Sequence, residues 1–170
     1  YLLTSWLAGD AHDPLDVARL RVLSLLLLGH EAAPLRRALV DSRLGANLVM
    51  AGDAAAGPEA LFHIGIEGSE ADRLDAFREV VRATLSDLAA TPFDAGQLQA
   101  AFQQAVYECV EILPMFPLRT VLRVAEAWTA GLDPLTFVET ARHYAAVREE
   151  CRARPALFSE LIRKRLLDNP

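Results

Sequence analysis

The sequence predicts an α+β fold, in which a small, mostly antiparallel sheet is covered on one face by several helices. Residues 61–67 alternate as a half-buried strand does, with Phe62, Ile64 and Ile66 on one face. From Ser69 onward the apolar residues recur at helical spacing. Ala and Leu together make 57 of the 170 residues, which favours helix.

The first elements follow from local signals. The aromatic and aliphatic residues 1–7 predict a strand. Asp13 and Pro14 are a typical N-cap and first helical residue, so a helix should run from there to Leu28 and end at a left-handed Gly29. A second, short helix should begin at Pro34 and end near Ser42. Residues 46–51 predict a short apolar strand, and residues 52–59 a loop.

The C-terminal part should be helical throughout. Ser69 and Asp72 resemble a capping box for a helix ended by Pro92, and Asp94-x-x-Gln97 should open the next helix. We expect Pro114 and Pro117 to frame a loop before a helix that Gly131 ends. Asp133-Pro134 and Pro155 should begin the last two helices, the former with an inward face of Val138, Ala141 and Ala145. The stripes at residues 74–88 and 98–112 should cover the sheet.

Composition excludes several classes of protein. The formal net charge is −6, so no electrostatic footprint for nucleic acid is present. The apolar run around residues 22–28 is too short for a membrane span, so we expect neither nucleic acid nor membrane as a partner. Cys109 and Cys151 are predicted to be reduced thiols, which is compatible with a reducing compartment but does not identify one.

The sequence also predicts that this chain holds no metal. A zinc-binding helix needs two ligands one turn apart, as in H-E-x-x-H or H-x-x-E-H, and neither occurs. His30-Glu31 begins like the first, but Pro34 stands where the second His should be. We therefore predict no catalytic residue, no metal ligand and no cofactor in this chain.

Five segments of the chain have a recognisable pattern. They begin at residues 33, 62, 116, 128 and 161, and read A-P-L-R-R-A-L, F-H-I-G-I-E-G, F-P, W-T-A-G-L-D-P-L and L-I-R-K-R-L-L-D-N-P. In this order they resemble the pitrilysin/insulysin family of zinc metallopeptidases, the inverted-motif group, and its presequence-protease branch in particular. The corresponding segments of that branch read S-P-L-x-x-x-L, F-x-I-G-L-K-G, F-P-R-G-L, W-x-x-G-x-D-P-L and L-I-x-K-x-L-L-D-N-P-H. One departure is at residues 107–111, Y-E-C-V-E, where the family's E-F-x-L-R-E-N carries an Arg.

The resemblance implies that residues 1–170 are a single domain excised from a larger multidomain peptidase. It corresponds to the second, non-catalytic domain of the N-terminal half, with a metallopeptidase-like or mitochondrial processing peptidase-like fold. The parent would degrade unfolded peptides with zinc held by its first domain, and this domain would form part of the wall of the substrate chamber. Its partners would be the parent's other domains and unfolded peptides. The alternative is a scaffold or assembly domain of a relative that has lost zinc in every domain.

The insulysin branch also suggests where a substrate could be anchored. Its second domain has a similar G-H-E followed by a strand whose edge holds the substrate's N-terminus. The corresponding candidates here are His30, Leu48, Val49 and Met50. For His30 the alternative is a residue that the helix dipole favours at a helix C-terminus. Elsewhere we expect Trp128 to pack in a helix interface, Phe116 and Arg119 to face other domains or cap a helix, and His63 to be a plain surface residue.

Overall fold

The computed structural model describes residues 1–56, 58–112, 114–129 and 131–169. It describes the backbone alone at Met50, Arg119, Arg123, Glu126 and residues 54–56 and 136–137. The side-chain predictions for Met50 and Arg119 therefore lie outside the described part of the chain, as does the final proline of the D-N-P segment.

The described elements follow the predicted order of strand, two helices, two strands and a helical C-terminal part. They are β1 (Leu2–Asp10), α1 (Pro14–Leu28), α2 (Pro34–Ser42), β2 (Asn47–Ala56), β3 (Glu59–Glu67), α3 (Leu74–Ala90), α4 (Ala95–Val110), α5 (Phe116–Thr129), α6 (Pro134–Val138), α7 (Thr140–Ala153) and α8 (Leu157–Ile162). A 3₁₀ turn at Ala71–Arg73 precedes α3, and a π turn at Arg163–Leu167 follows α8.

The sheet is antiparallel, and its order is β1-β3-β2. Leu48 pairs with Ile66 and Val49 with Gly65, so the predicted pairing of these two strands is confirmed. Phe62, Ile64 and Ile66 are buried on the covered face, because the alternation of β3 sends them all to the same side. The predicted α+β class and antiparallel sheet are therefore confirmed.

The loop predicted at residues 52–59 is wrong. β2 continues to Ala56, and β3 begins at Glu59. The register shifts between Val49 and Gly52, which marks a β-bulge. Gly52 adopts φ +119° there, and an added Cβ would lie 2.5 Å from the Ser24 hydroxyl oxygen. The glycine that suggested a loop instead allows the strand to bend over α1.

Helix α1 is the centre of the core. It begins as predicted, with the Asp13 carboxylate accepting a hydrogen bond from the Leu15 N–H. It packs against all three strands and against α2, α4 and α7. The expectation that the stripe at residues 98–112 covers the sheet is wrong, because α4 packs on α1 and α7 instead. The prediction that α1 ends at a left-handed Gly29 is also wrong, because Gly29 has a right-handed conformation with φ −67°.

The predicted helix start at Asp94 is confirmed and includes a capping box, whereas the box predicted at Ser69 is absent. At α4, Asp94 accepts from the Gln97 N–H at 2.9 Å, and the Gln97 side chain accepts from the Asp94 N–H at 3.1 Å. At α3 the 3₁₀ turn comes first, and no side chain caps the helix. The Ser69 hydroxyl is buried without a hydrogen-bond partner, so the Ser69–Asp72 box is wrong.

The predictions about α5 differ in outcome. Phe116 and Pro117 are the first two residues of the helix, as their resemblance to the family's F-P-R-G-L segment implies, and the missing N–H of Pro117 is tolerated there. Trp128 does not pack in a helix interface within the described structure, because 74% of it is exposed. Gly131 follows α5 with a positive φ of 76°, as its role as a helix stop requires.

The single helix predicted from Pro134 is two helices, separated at Glu139. Val138 and residues 141 and 145 are exposed, and the predicted inward face is wrong. Tyr144, Val147 and Cys151 form the buried face of α7 instead. The break shifts the helical phase, so a face extrapolated from α6 does not apply to α7.

The π turn closes the domain against β1. Asn169 donates hydrogen bonds of 2.8 Å to the carbonyl oxygens of Leu7 and Arg165. The Arg165 guanidinium lies 3.2 Å from the carboxylate of Asp16, which is buried and also accepts from the Asp10 N–H. Side chains thus satisfy backbone groups at two points of β1. Among the described residues no helix is long and apolar enough to cross a membrane.

Candidate functional site

The candidate anchoring residues lie on an edge strand. Within the described residues β2 pairs with β3 alone, so one side of residues 47–49 has no neighbouring strand. Leu48 packs against the core, and Val49 is half-buried on the uncovered face of the sheet. An added Cβ on Gly65 would lie 2.8 Å from the Val49 carbonyl oxygen, so Gly65 permits close pairing at this point.

The glycines on either side of this strand have distinct roles. An added Cβ at Gly45 would lie 2.7 Å from the Glu67 carbonyl oxygen, so the chain enters β2 in close contact with β3. Gly52 forms the bulge described above. The edge before the bulge is therefore short, about three residues, and the pairing on its inner side is fixed at both ends.

His30 is exposed in the turn between α1 and α2. Its carbonyl oxygen accepts a hydrogen bond from the Ala33 N–H, and its ring has no hydrogen bond or ion pair to any described residue of β2. Both flanking helices pack against β2. The structure thus places Leu48, Val49 and the Met50 backbone on one strand. His30 lies outside this strand, in the turn between two helices that pack against it.

No group of three or more His, Cys, Asp or Glu side chains suited to a metal ion occurs among the described residues. His63 shares a 2.8 Å hydrogen bond with the Ser5 hydroxyl across β1 and β3. Cys109 is half-buried, donates to the Ala105 carbonyl oxygen and lies 3.1 Å from the Thr140 hydroxyl. Each of these side chains has a structural explanation.

A polar cluster beyond the bulge was not predicted from the sequence. The Arg21 guanidinium of α1 contacts Asp53 of β2 at 3.1 Å and Glu108 of α4 at 2.6 Å. Burial opposes the charge on Arg21, but the two carboxylates outweigh it and raise its pKa. The buried Tyr144 lies close by, and burial raises the pKa of its phenol. The cluster fixes the C-terminal part of β2 to two helices.

The fold and the site together define a small α+β domain with an open sheet edge, and with no metal cluster among its described residues. A family model described as the Peptidase M16 inactive domain matches residues 1–105. The chain belongs to this family. The family resemblance seen in the sequence, and its assignment to a non-catalytic type of domain, are therefore confirmed.

Curated relatives match nearly the whole chain. The mitochondrial presequence protease of Danio rerio is 22% identical over 169 residues, which cover 99% of this chain and 16% of the relative. The chloroplastic and mitochondrial presequence protease 1 of Arabidopsis thaliana is 29% identical over 176 residues, which cover 99% of this chain and 16% of the relative. This chain therefore spans about one sixth of the length of these relatives.

Solved structures share the fold. The inactive peptidase domain from Bordetella parapertussis aligns with a TM-score of 0.74 at 18% identity, over 96% of this chain and 82% of that one. A Bordetella pertussis Tohama I structure aligns with a TM-score of 0.68, also at 18% identity, over 98% of this chain and 87% of that one. At this level of identity the likeness concerns the fold alone.

Proposed function

We propose that this chain is a non-catalytic domain of a zinc-dependent metallopeptidase that degrades unfolded peptides, and that it forms part of the wall of the substrate chamber. The observation that carries the proposal is the end-to-end match to presequence proteases, which goes together with membership of the inactive-domain family. Residues 1–170 are then one domain of a longer polypeptide, and its partners are the other domains and unfolded peptides.

In this role the catalytic zinc and the general base belong to another domain of the polypeptide. The zinc would supply Lewis-acid activation of water there, outside this chain. This domain would restrict the space around the substrate and orient it, which raises the rate by favouring a productive geometry. The acidic net charge and the lack of a membrane-length apolar run agree with peptide rather than nucleic acid or membrane as the ligand.

The edge of β2 is the proposed contact with substrate. An extended peptide could add a strand beside Leu48, Val49 and Met50 and form main-chain hydrogen bonds there. Backbone recognition tolerates varied side chains, which suits a degradative enzyme. His30, exposed near the same corner, would contact the end of the peptide. The open edge of β2 among the described residues supports this proposal.

The first experiment measures zinc content and peptidase activity of the complete polypeptide and of the 170-residue chain. We expect about one zinc and activity on unfolded peptides for the former, and neither for the latter. A complete polypeptide without zinc or activity would support the alternative, a scaffold domain of a zinc-less relative. Stoichiometric zinc on the 170-residue chain would contradict the assignment as non-catalytic.

The second experiment locates the bound peptide by hydrogen–deuterium exchange. The complete polypeptide is treated with a chelator, so that a long unfolded peptide binds without being cleaved. We expect slower exchange in residues 47–49 and no change in β1, the other edge strand, which serves as the internal control. Protection of β1, or of neither edge, would show that β2 is not the substrate contact.

A further inference from the structure

Most of the exposed large apolar side chains among the described residues lie in one stretch of the chain, from the C-terminal half of α4 through α5 to α6. We refer to this region as the α4–α6 face, and it comprises Val106, Tyr107, Val110, Ile112, Met115, Phe116, Leu118, Val121, Leu122, Trp128, Leu135 and Val138. Monomeric proteins rarely expose so many large apolar side chains in one segment, which favours their burial against another surface.

The periodicity of α5 independently indicates that this face is meant to be buried. Leu118, Val121, Leu122 and Trp128 recur at the spacing of one helix stripe. In a helix that packs on its own domain, such a stripe faces the core. Here Val121 is 61% exposed and Trp128 74%. Within the described residues α6 is the one element that packs extensively on α5, so the domain itself does not cover the stripe.

The geometry points to another domain of the same polypeptide as the occupant: we infer that the α4–α6 face is a permanent interdomain contact. The relatives that match this chain over 99% of its length, α5 included, have about six times its length. In these relatives the segment that matches α5 therefore lies within a much longer chain. The contacting surface should be apolar and without charge at its centre. A charge buried there would have no partner, because Val121 and Leu122 are apolar.

This inference rests on the proposed function in one respect, because both take the chain to be part of a longer polypeptide. It is independent of zinc and of the β2 edge. An unfolded peptide is a poorer occupant, since the face spans three helices and lacks the free backbone groups that a strand edge offers. A second copy of this chain is the competing occupant, and the experiment below separates the two.

The test compares hydrogen–deuterium exchange at residues 116–129 in the complete polypeptide and in the 170-residue chain. We expect exchange to be about tenfold or more slower in the complete polypeptide, with α7 unchanged as the control. The variant Val121→Asp should abolish this protection. The matched control is Val40→Asp on α2, since Val40 has a similar exposure of 58% but lies outside the face. Circular dichroism of each variant in the 170-residue chain should match that of the unmodified chain.

The outcomes are distinct from those for the proposed function. If residues 116–129 exchange equally in both proteins while zinc and activity are present, the interdomain contact is refuted and the proposed function is not. If zinc is absent but residues 116–129 are protected in the complete polypeptide, the proposed function is refuted and the interdomain contact is not. If the 170-residue chain is itself a dimer by light scattering and Val121→Asp makes it monomeric, the face binds a second copy and the inference is overturned.

Discussion

Replacing Asp16 by Ala should destabilise the domain more than any ion-pair substitution on its surface. The Asp16 side chain is only 8% exposed, and its carboxylate accepts from the Asp10 N–H at 3.0 Å. It also lies 3.2 Å from the Arg165 guanidinium and 3.6 Å from that of Arg19. The substitution leaves a backbone donor and a guanidinium without their partner in a part of the fold that water reaches poorly.

The magnitude follows from these contacts. The unpaired Asp10 N–H should cost about 1–2 kcal/mol. Breaking a fully buried ion pair costs roughly 3–5 kcal/mol. The Arg165 side chain is 30% exposed and regains contact with water, so breaking its pair with Asp16 should cost less, about 1–2 kcal/mol. The sum is about 3 kcal/mol, which corresponds to a decrease in Tm of roughly 6–12 °C for a chain of this size. Asp16→Asn keeps an acceptor for the N–H and should lose about half as much.

The assay is thermal unfolding followed by circular dichroism, combined with a double-mutant cycle. The control is Asp41→Ala, which removes an exposed pair with Arg37 at 3.4 Å and should change stability by less than about 0.5 kcal/mol. Combining Asp16→Asn with Arg165→Met should give a smaller loss than the sum of the single losses. If Asp16→Ala lowers Tm no more than Asp41→Ala, the buried network does not stabilise the domain.

Four further predictions concern the core, the bulge and two buried titratable groups. Phe62→Ala should cost about 3–5 kcal/mol in urea unfolding, because Phe62 is fully buried. Gly52→Ala should cost about 2 kcal/mol or more, since φ is +119° and the new methyl group meets Ser24; an equally stable variant would contradict the bulge geometry. Because burial raises the pKa of Tyr144, the phenol loses its proton at a lower pH in the unfolded chain than in the folded one. The free energy of unfolding should therefore fall as pH rises above about 10, and it should fall less in the Tyr144→Phe variant. Equal changes of the urea midpoint between pH 9 and 11 in the two proteins would refute this prediction. Burial raises the pKa of the Cys151 thiol, so in a Cys109→Ser variant it should react with maleimide about tenfold or more slowly than in the unfolded chain; equal rates would mean an accessible thiol.

Helix starts were predicted best, because a capping interaction is local. Asp13 and Asp94 each lie within three residues of the N–H group that they accept from, so the sequence contains the whole interaction. Ser69 shows the limit of this reasoning. It has the spacing of a capping box, but a 3₁₀ turn intervenes and its hydroxyl is buried without a partner.

The arrangement around β2 could be predicted only in part. The alternation in β3 indicated its pairing, but Gly52 is as typical of a loop as of a bulge, and only the contact with Ser24 distinguishes them. The ion pairs of Arg21 join residues 32 and 87 positions away along the chain, a separation that no local pattern specifies. The candidate strand itself was indicated by the resemblance to the peptidase family and by no local pattern.

The position of β3 between β1 and β2 also has a consequence for the order in which the domain folds. β2 and β3 are neighbours in sequence, so their hairpin can close a short loop. β1 must wait, because Leu2 pairs with Ile66 across 64 positions of chain. Each doubling of loop length adds about 0.6 kcal/mol of closure entropy, so the hairpin should form early and β1 should join late. Until then β3 presents an unpaired apolar edge, and a newly made chain is most prone to aggregate in that interval.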